Sequence, residues 1–145
     1  FIANSSRLAY VLLMKYYTFK KFTKKSGHLV PISFKEDVPF KPKRIFLIYG
    51  KKNFLRGDHA HKKCSQFFIP ISGKIELFFT NSKNSKKVIL DSKKKKGILL
   101  EPLTWCKVTF KTKNAVMMVF CDREYEFNDY IEVYSDFKKI ITKKL

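Results

Sequence analysis

The chain has 145 residues, 45% of them hydrophobic and 16% aromatic, and 31 lysines and arginines against 12 acidic residues give a formal net charge of +19. This length predicts a single domain with a substantial core, and the charge indicates anionic partners. No apolar run is long enough to span a membrane. Three cysteines without CxxC spacing argue against a disulfide framework or a structural zinc site and indicate a reducing cytoplasm.

The chain opens on phenylalanine and carries an internal methionine at position 14. We therefore expect residues 1–13 to be an N-terminal extension and residues 14–145 to form the single domain. The first predicted strand is Tyr16–Phe19, because aromatic and β-branched residues are enriched in strands.

The next predicted elements are short and extended. His28–Ile32 is typical of a strand, and Pro31 within it indicates an edge position. The prolines of residues 38–42 exclude a regular helix there. Arg44–Tyr49 is a nearly continuous apolar run ended by Gly50, which favours a strand that is buried on both faces or lines a barrel.

Two of the three histidines, His59 and His61, lie two residues apart. On a strand this spacing points both imidazoles to one face, roughly 7 Å apart. Behind them the apolar run Phe67–Ile71 reaches a turn at Gly73, and the chain resumes as Lys74–Phe79. The pattern predicts a site on a strand that leads into a hairpin within a sheet-built core.

The rest of the chain predicts more strands and one helix. Phe137, Ile140 and Ile141 are spaced as on one helical face. The lysine run of residues 93–96 favours a solvated turn, with a nucleic-acid-binding tail as the sharper alternative. Four further short strands are predicted, at Val88–Leu90, Ile98–Pro102, Cys106–Phe110 and Ala115–Cys121. Short strands separated by turn signals predict an all-β sandwich or barrel.

The segment around the histidine pair resembles the first cupin motif, with Gln66 in place of the usual glutamate and Gly73 closing the motif. A narrower resemblance rests on three stretches: RGDHAHKK at residues 56–63, Pro102-x-x-Trp105, and a late DYI segment at residues 129–131 with Tyr134 and Phe137. Together they are similar to the WxcM-like cupins that are sugar-nucleotide 3,4-ketoisomerases. The resemblance covers roughly residues 20–140. It implies a cupin-type jelly-roll β-barrel with a short C-terminal helix.

The residues favour chemistry without a metal or another cofactor. A cupin metal site usually takes two histidines, a carboxylate and a third histidine, because a divalent ion needs several converging ligands. This chain offers the neutral amide of Gln66, and Cys106 stands where some relatives carry a histidine. The remaining histidine, His28, lies on a distant segment.

The resemblance implies that a ketone moves from carbon 4 to carbon 3 of dTDP-4-keto-6-deoxyglucose. This reaction removes the carbon 3 proton, passes through an enediol and returns a proton to carbon 4, and imidazole can carry out both transfers near neutral pH. We predict His61 as the base and His59 as its partner. The resemblance further implies that the product passes to an aminotransferase, on the way to a 3-amino sugar of a bacterial surface glycan.

The substrate is expected to meet five further side chains. A guanidinium is the natural clamp for a diphosphate, so Arg56 is the predicted diphosphate ligand, with a surface ion pair as the alternative. For Trp105 the equal alternative is core packing, and for His28 it is an exposed histidine without a role in binding. Tyr130 and Tyr134 are predicted to pack the C-terminal segment. The predicted substrate-binding residues are Arg56, His28, Gln66, Trp105 and Cys106.

We predict a homodimer, because the apolar N-terminal region leaves more β surface than one small barrel can bury. Relatives of this kind commonly exchange or share an N-terminal strand. Two other functions stay open on the sequence. One is a metal-dependent cupin, such as a dioxygenase or an epimerase-like enzyme, and the other is a basic nucleic-acid-binding protein.

Overall fold

Short segments of alternating apolar and polar residues form most of the secondary structure. The computed structural model describes residues 15–144, so the predicted N-terminal extension and Met14 lie outside the described part. The elements are β1 (Tyr16–Thr18), β2 (Phe22–Lys24), β3 (Gly27–Leu29), β4 (Arg44–Tyr49), β5 (Leu55–His61), β6 (Gln66–Ser72), β7 (Lys74–Thr80), β8 (Ser85–Asp91), β9 (Lys96–Leu100), β10 (Trp105–Phe110), β11 (Val116–Cys121), β12 (Tyr130–Ile131) and α1 (Tyr134–Lys143).

Two antiparallel five-stranded sheets face each other. Their strand orders are β1-β9-β6-β11-β4 and β12-β5-β10-β7-β8, and β2 and β3 form a separate two-stranded ribbon. The core between the sheets is built from inward side chains of both, including Leu77, Val108 and Phe110 from one sheet and Phe68 and Met117 from the other. The predicted all-β barrel is therefore confirmed.

The predicted hairpin behind the histidine strand is wrong. β6 pairs with β9 and β11, whereas β7 pairs with β8 and β10, so the chain crosses from one sheet to the other between them. Gly73 makes this corner at φ +75°, where a Cβ would clash with the side chain of Thr112. A one-residue corner of this kind cannot be distinguished from a tight hairpin turn by sequence alone.

The apolar run of β4 lines the barrel and is not buried on both faces. Arg44, Phe46 and Ile48 are half-buried, whereas Ile45, Leu47 and Tyr49 alternate with them on the exposed outer face. β4 is also the edge strand of its sheet, pairing with β11 alone. The edge of this sheet therefore presents an apolar outer surface.

The first strand pairs within its own chain. β1 lies antiparallel to β9, and Phe19 after it is buried against Phe67 and Phe120 on the outer face of the sheet. The predicted second strand is shorter than expected, because β3 ends at Leu29, before the proline. The lysine run forms a single 3₁₀ turn at Ser92–Lys94, which confirms the predicted turn.

The predicted C-terminal helix is confirmed as α1. Its buried residues Phe137 and Ile141 pack with Ala60, Trp105 and Ile131 in a cluster beside the histidine strand. Among residues 15–144, no helix has the length and apolar character needed to cross a membrane. The helix closes one side of the barrel and holds β12 against β5.

Candidate active site

A bulge in β5 sets the direction of the residues around the histidines. The pairing with β10 shifts register, so that His59 opposes Cys106 and Gly57 opposes Lys107, which leaves Asp58 as the extra residue. Gly57 and Asp58 both have positive φ, +78° and +65°, and a Cβ on Gly57 would lie 3.2 Å from the carbonyl oxygen of Cys106. The extra residue brings Arg56 and His59 to the same wall of a cavity, although strict alternation would separate them.

That cavity lies between the two sheets and measures about 390 Å³. Its polar wall carries Arg56, His59, Gln66 and Tyr130. The rest of the lining is mainly apolar or sulfur-bearing, with Phe46, Ile48, Phe68, Cys106, Val108 and Met117. A mostly apolar cleft with a few converging polar groups is the ordinary form of a small-molecule site.

The two imidazoles meet at the inner end of this cavity. Their ring centroids are 5.1 Å apart, and the ring of Tyr130 lies 5.0 Å from His59 and 4.4 Å from His61. His59 is half-buried and lines the cavity, whereas His61 is buried and lies behind it. His59 therefore lies at the cavity wall, and His61 lies one layer deeper.

Asp129 fixes the orientation of the inner histidine. Its carboxylate accepts hydrogen bonds from His61 Nδ1 at 3.0 Å, from the backbone N–H of Lys63 at 2.7 Å and from that of Cys64 at 3.2 Å. Burial alone would raise the pKa of Asp129, but these three hydrogen bonds outweigh burial and lower it. The carboxylate is thus held ionised and places the Nδ1 proton of the imidazole toward itself.

Both histidines are held in the neutral form. Burial is the largest influence on each, and it lowers the pKa of His59 and of His61 below the ordinary value. For His61, the hydrogen bond to Asp129 opposes this effect in part. Neutral imidazole is the form that accepts a proton, so this environment suits a general base at neutral pH.

Arg44 at the start of β4 and Cys121 at the end of β11 form a second polar cluster near the histidines. Arg44 donates from Nη2 to Cys121 Sγ at 3.4 Å, and its guanidinium lies near the Tyr130 hydroxyl, where it opposes in part the rise in pKa that burial causes. Interaction with the neighbouring Cys64 thiol is the largest influence on the pKa of Cys121 and, with Arg44 and Gln66, lowers it to about 6 against the effect of burial. Tyr130 therefore lies near a guanidinium, and its ring contacts both imidazoles.

The structure brings together five of the seven predicted site residues. His59, Gln66, Cys106 and Arg56 line the cavity, and His61 lies directly behind. His28 sits exposed on β3 and does not line the cavity. Trp105 is buried against Tyr134 and Phe137, and its Nε1 donates to Asp58 at 3.0 Å, which agrees with the packing alternative.

Sequence reasoning missed three residues of this site. Arg44 is the charged residue at the start of an otherwise apolar strand, and its position two residues before Phe46 on the inward face was a usable signal. Asp129 and Tyr130 belong to the late DYI segment, but nothing local connects that segment to the histidines. Pairing of β12 with β5, which places Tyr130 opposite His61, makes the connection.

Comparisons with known proteins agree with this geometry. Residues 13–142 match the family described as "FdtA: WxcM-like, C-terminal". A TDP-4-oxo-6-deoxy-alpha-D-glucose-3,4-oxoisomerase of Aneurinibacillus thermoaerophilus is 33% identical over 130 residues, covering 89% of this chain and 93% of that protein. The sugar 3,4-ketoisomerase QdtA of Thermoanaerobacterium thermosaccharolyticum, solved with TDP, superposes with a TM-score of 0.84 at 30% identity over 91% of this chain and 96% of that one. A variant of QdtA solved with TDP-4-keto-6-deoxyglucose gives a TM-score of 0.84 at 29% identity, with the same coverage.

The barrel with its C-terminal helix is of the cupin type, as the sequence predicted, and the histidine pair lies at and behind the wall of its cavity. Within that class the match covers nearly the whole chain. The chain belongs to the WxcM-like family, and the solved structures similar to it include sugar 3,4-ketoisomerases.

Proposed function

We propose that the protein is an isomerase that moves the keto group of dTDP-4-keto-6-deoxyglucose from carbon 4 to carbon 3. The observation that carries the proposal is the neutral histidine His59 on the wall of a 390 Å³ cavity, with His61, Tyr130 and Arg56 around it. The names of the relatives give the substrate class. A neutral base, a hydrogen-bonding hydroxyl and a guanidinium are the groups that proton transfer on a nucleotide-linked ketone requires.

His59 is proposed as the base that takes the carbon 3 proton. This reverses the order predicted from the sequence, and the reason is position, because His59 lines the cavity and His61 does not. His61, held by Asp129, packs edge-on against the ring of His59 and fixes its position. The assignment of the base therefore depends on which imidazole a substrate in the cavity can reach.

Tyr130 is proposed to stabilise the oxygens of the enediol. Its ring lies against both imidazoles, and its hydroxyl lies near the Arg44 guanidinium. A hydroxyl donor in a partly apolar cavity stabilises developing negative charge more strongly than water does. The proton that His59 removes from carbon 3 can return to carbon 4 from the same imidazole, because the two carbons are adjacent, while the oxygen on carbon 4 gains a proton and the hydroxyl on carbon 3 loses one.

The direct test is incubation of the protein with dTDP-4-keto-6-deoxyglucose and NMR analysis of the product. We expect a 3-keto sugar nucleotide, which a 3-aminotransferase would convert into a 3-amino sugar. Return of unchanged substrate after prolonged incubation would reject the proposal. The proposed context is a cytoplasmic pathway that feeds an aminotransferase and, later, a surface glycan.

We predict that isomerase activity survives exhaustive chelation. The proton transfers described above use only His59 and hydrogen-bond donors of the chain, with Gln66 standing where a cupin metal site usually has its carboxylate. Activity should stay within twofold after EDTA treatment and gel filtration, measured by product NMR. Loss of activity that a divalent ion restores would instead support the metal-dependent alternative.

Arg56 is proposed to hold the diphosphate of the substrate. It is exposed at the cavity, next to the bulge that aims it inward. We expect Arg56→Ala to raise KM about tenfold or more while kcat changes less, because a charged hydrogen bond contributes about 1.5–3 kcal/mol. The matched control is Lys86→Ala on the far edge strand β8, which removes one positive charge away from the cavity. Equal effects of the two variants would show that Arg56 acts only through net charge.

A homodimer is proposed for the assembled enzyme. β1 pairs in its own chain, and the outer face of β4 presents an exposed apolar surface formed by Ile45, Leu47 and Tyr49. Because β4 is also a sheet edge with one partner, a second copy can cover both its side chains and its free backbone groups. Sedimentation at micromolar concentration should give about twice the chain mass, and Leu47→Lys should shift it toward the monomer. A wild-type monomer would contradict the proposal.

A further inference from the structure

Behind the active site lies a second cluster of side chains, formed by His61, Cys64 and Asp129. One nitrogen, one sulfur and one oxygen from these residues lie within 4.8 Å of one another, and all three residues are buried. His61 ends β5, Cys64 lies in the short connection between β5 and β6, and Asp129 directly precedes β12. The cluster is separate from the usual cupin arrangement, since it uses Nδ1 of His61 and neither His59 nor Gln66.

We propose that this cluster binds a thiophilic divalent cation of the zinc class. Imidazole nitrogen, thiolate sulfur and carboxylate oxygen are the three ligand types of zinc in proteins, and zinc prefers four ligands in a tetrahedron. A second thiol is at hand, because Cys121 lies beside Cys64 in the same buried cluster. The ligand set excludes magnesium and calcium, which take oxygen ligands.

The hydrogen bonds of the cluster show which protons the cation would replace. His61 Nδ1 donates to Asp129 Oδ2 at 3.0 Å, and the Cys64 thiol donates to the carbonyl of Ser65 at 3.4 Å. Binding would release the Nδ1 proton and the thiol proton, and the cation would take their place. Asp129 Oδ1 keeps its hydrogen bond from the backbone N–H of Lys63, at 2.7 Å, so the carboxylate stays oriented. The ligands are therefore supported by contacts that do not change on binding.

Occupancy would inhibit the isomerase, and this part of the inference rests on the proposed function. His61 packs against the rings of His59 and Tyr130, so a shift of its ring toward a cation disturbs both. The chelation experiment above is compatible with this effect, because an inhibitory ion is removed by EDTA. Zinc would act as a regulator of the site and not as a cofactor.

Cobalt titration of the full chain, under anaerobic conditions with a non-chelating phosphine reductant, tests the metal site. We expect one equivalent of Co²⁺ to produce a thiolate-to-cobalt charge-transfer band in the near ultraviolet, and Zn²⁺ to displace it. Cys64→Ser should remove the band or weaken binding about tenfold or more, whereas Cys106→Ser, a buried cysteine outside the cluster, should keep it. Absence of the band in the wild type, or its survival in Cys64→Ser, would overturn the proposal.

The inhibition is measured separately. Zn²⁺ should reduce wild-type turnover at the same stoichiometry that abolishes the cobalt band. If the protein turns over no dTDP-4-keto-6-deoxyglucose at all, the cobalt spectra still decide the metal site, so failure of the proposed function and failure of the site are distinguishable. Should Cys64→Ser fail to fold, the wild-type titration by itself remains decisive, because a spectrum without thiolate character excludes the cluster.

Discussion

His59→Asn is expected to reduce kcat by about 10²- to 10⁴-fold, the usual contribution of a general acid or base. Asparagine can form hydrogen bonds but cannot accept the carbon 3 proton. The substitution should leave TDP binding nearly unchanged, because the proposed diphosphate ligand is Arg56, on the same cavity wall. Turnover by product NMR and TDP affinity by calorimetry measure the two quantities.

His61→Asn is the matched comparison for this prediction. His61 lies behind the cavity and is proposed to position His59, so its loss should lower kcat by a smaller factor than the loss of His59. Circular dichroism should show that both variants keep the wild-type fold. A larger kcat loss in His61→Asn would restore the order predicted from the sequence, and a loss below tenfold in both variants would reject histidine acid–base chemistry.

Asp129→Ala is expected to destabilise the fold by about 3 kcal/mol. The substitution leaves the His61 Nδ1–H and the backbone N–H groups of Lys63 and Cys64 without their acceptor, and a buried donor without a partner costs about 1–3 kcal/mol. Glu124→Ala is the control, because it removes an exposed carboxylate and should change stability by at most about 0.5 kcal/mol. Urea unfolding at pH 7 measures both variants.

The pH dependence of this effect has a definite sign. The pKa of Asp129 is lower in the folded protein than in the unfolded chain, so its stabilising contribution is complete above the unfolded pKa, about 3.9, and disappears as pH falls through the folded pKa. The difference between wild type and Asp129→Ala should therefore shrink under acidic conditions. A difference that is independent of pH would show that packing, and not the charged hydrogen bonds, is lost in the variant.

Much of the fold could be predicted from the sequence because its signals are local. The strand Arg44–Tyr49 and the helical spacing of Phe137 and Ile141 both appear where the pattern placed them. The pairing of β6 could not be predicted, since Gly73 supports either a hairpin or a corner between sheets. Local propensity specifies a strand, but the partner of a strand depends on side chains that are distant in sequence.

The site was predictable where its residues are close in sequence. Arg56, His59 and Gln66 fall within one segment, and all three line the cavity. Tyr130 was predicted only to pack the C-terminal segment, because its contact with the histidines depends on the pairing of β12 with β5. The bulge at Asp58 also places Arg56 on the same cavity wall as His59, and alternation counted along the sequence cannot include an extra residue.

Isomerisation in D₂O tests the central claim most directly. If His59 exchanges its proton with solvent before returning it, the 3-keto product of the wild type should carry deuterium at carbon 4, and His59→Asn should form product and incorporate deuterium about 10²- to 10⁴-fold more slowly. NMR of the sugar nucleotide reports the position of the ketone and of the label together. A 3-keto product formed by His59→Asn at the wild-type rate would contradict the account.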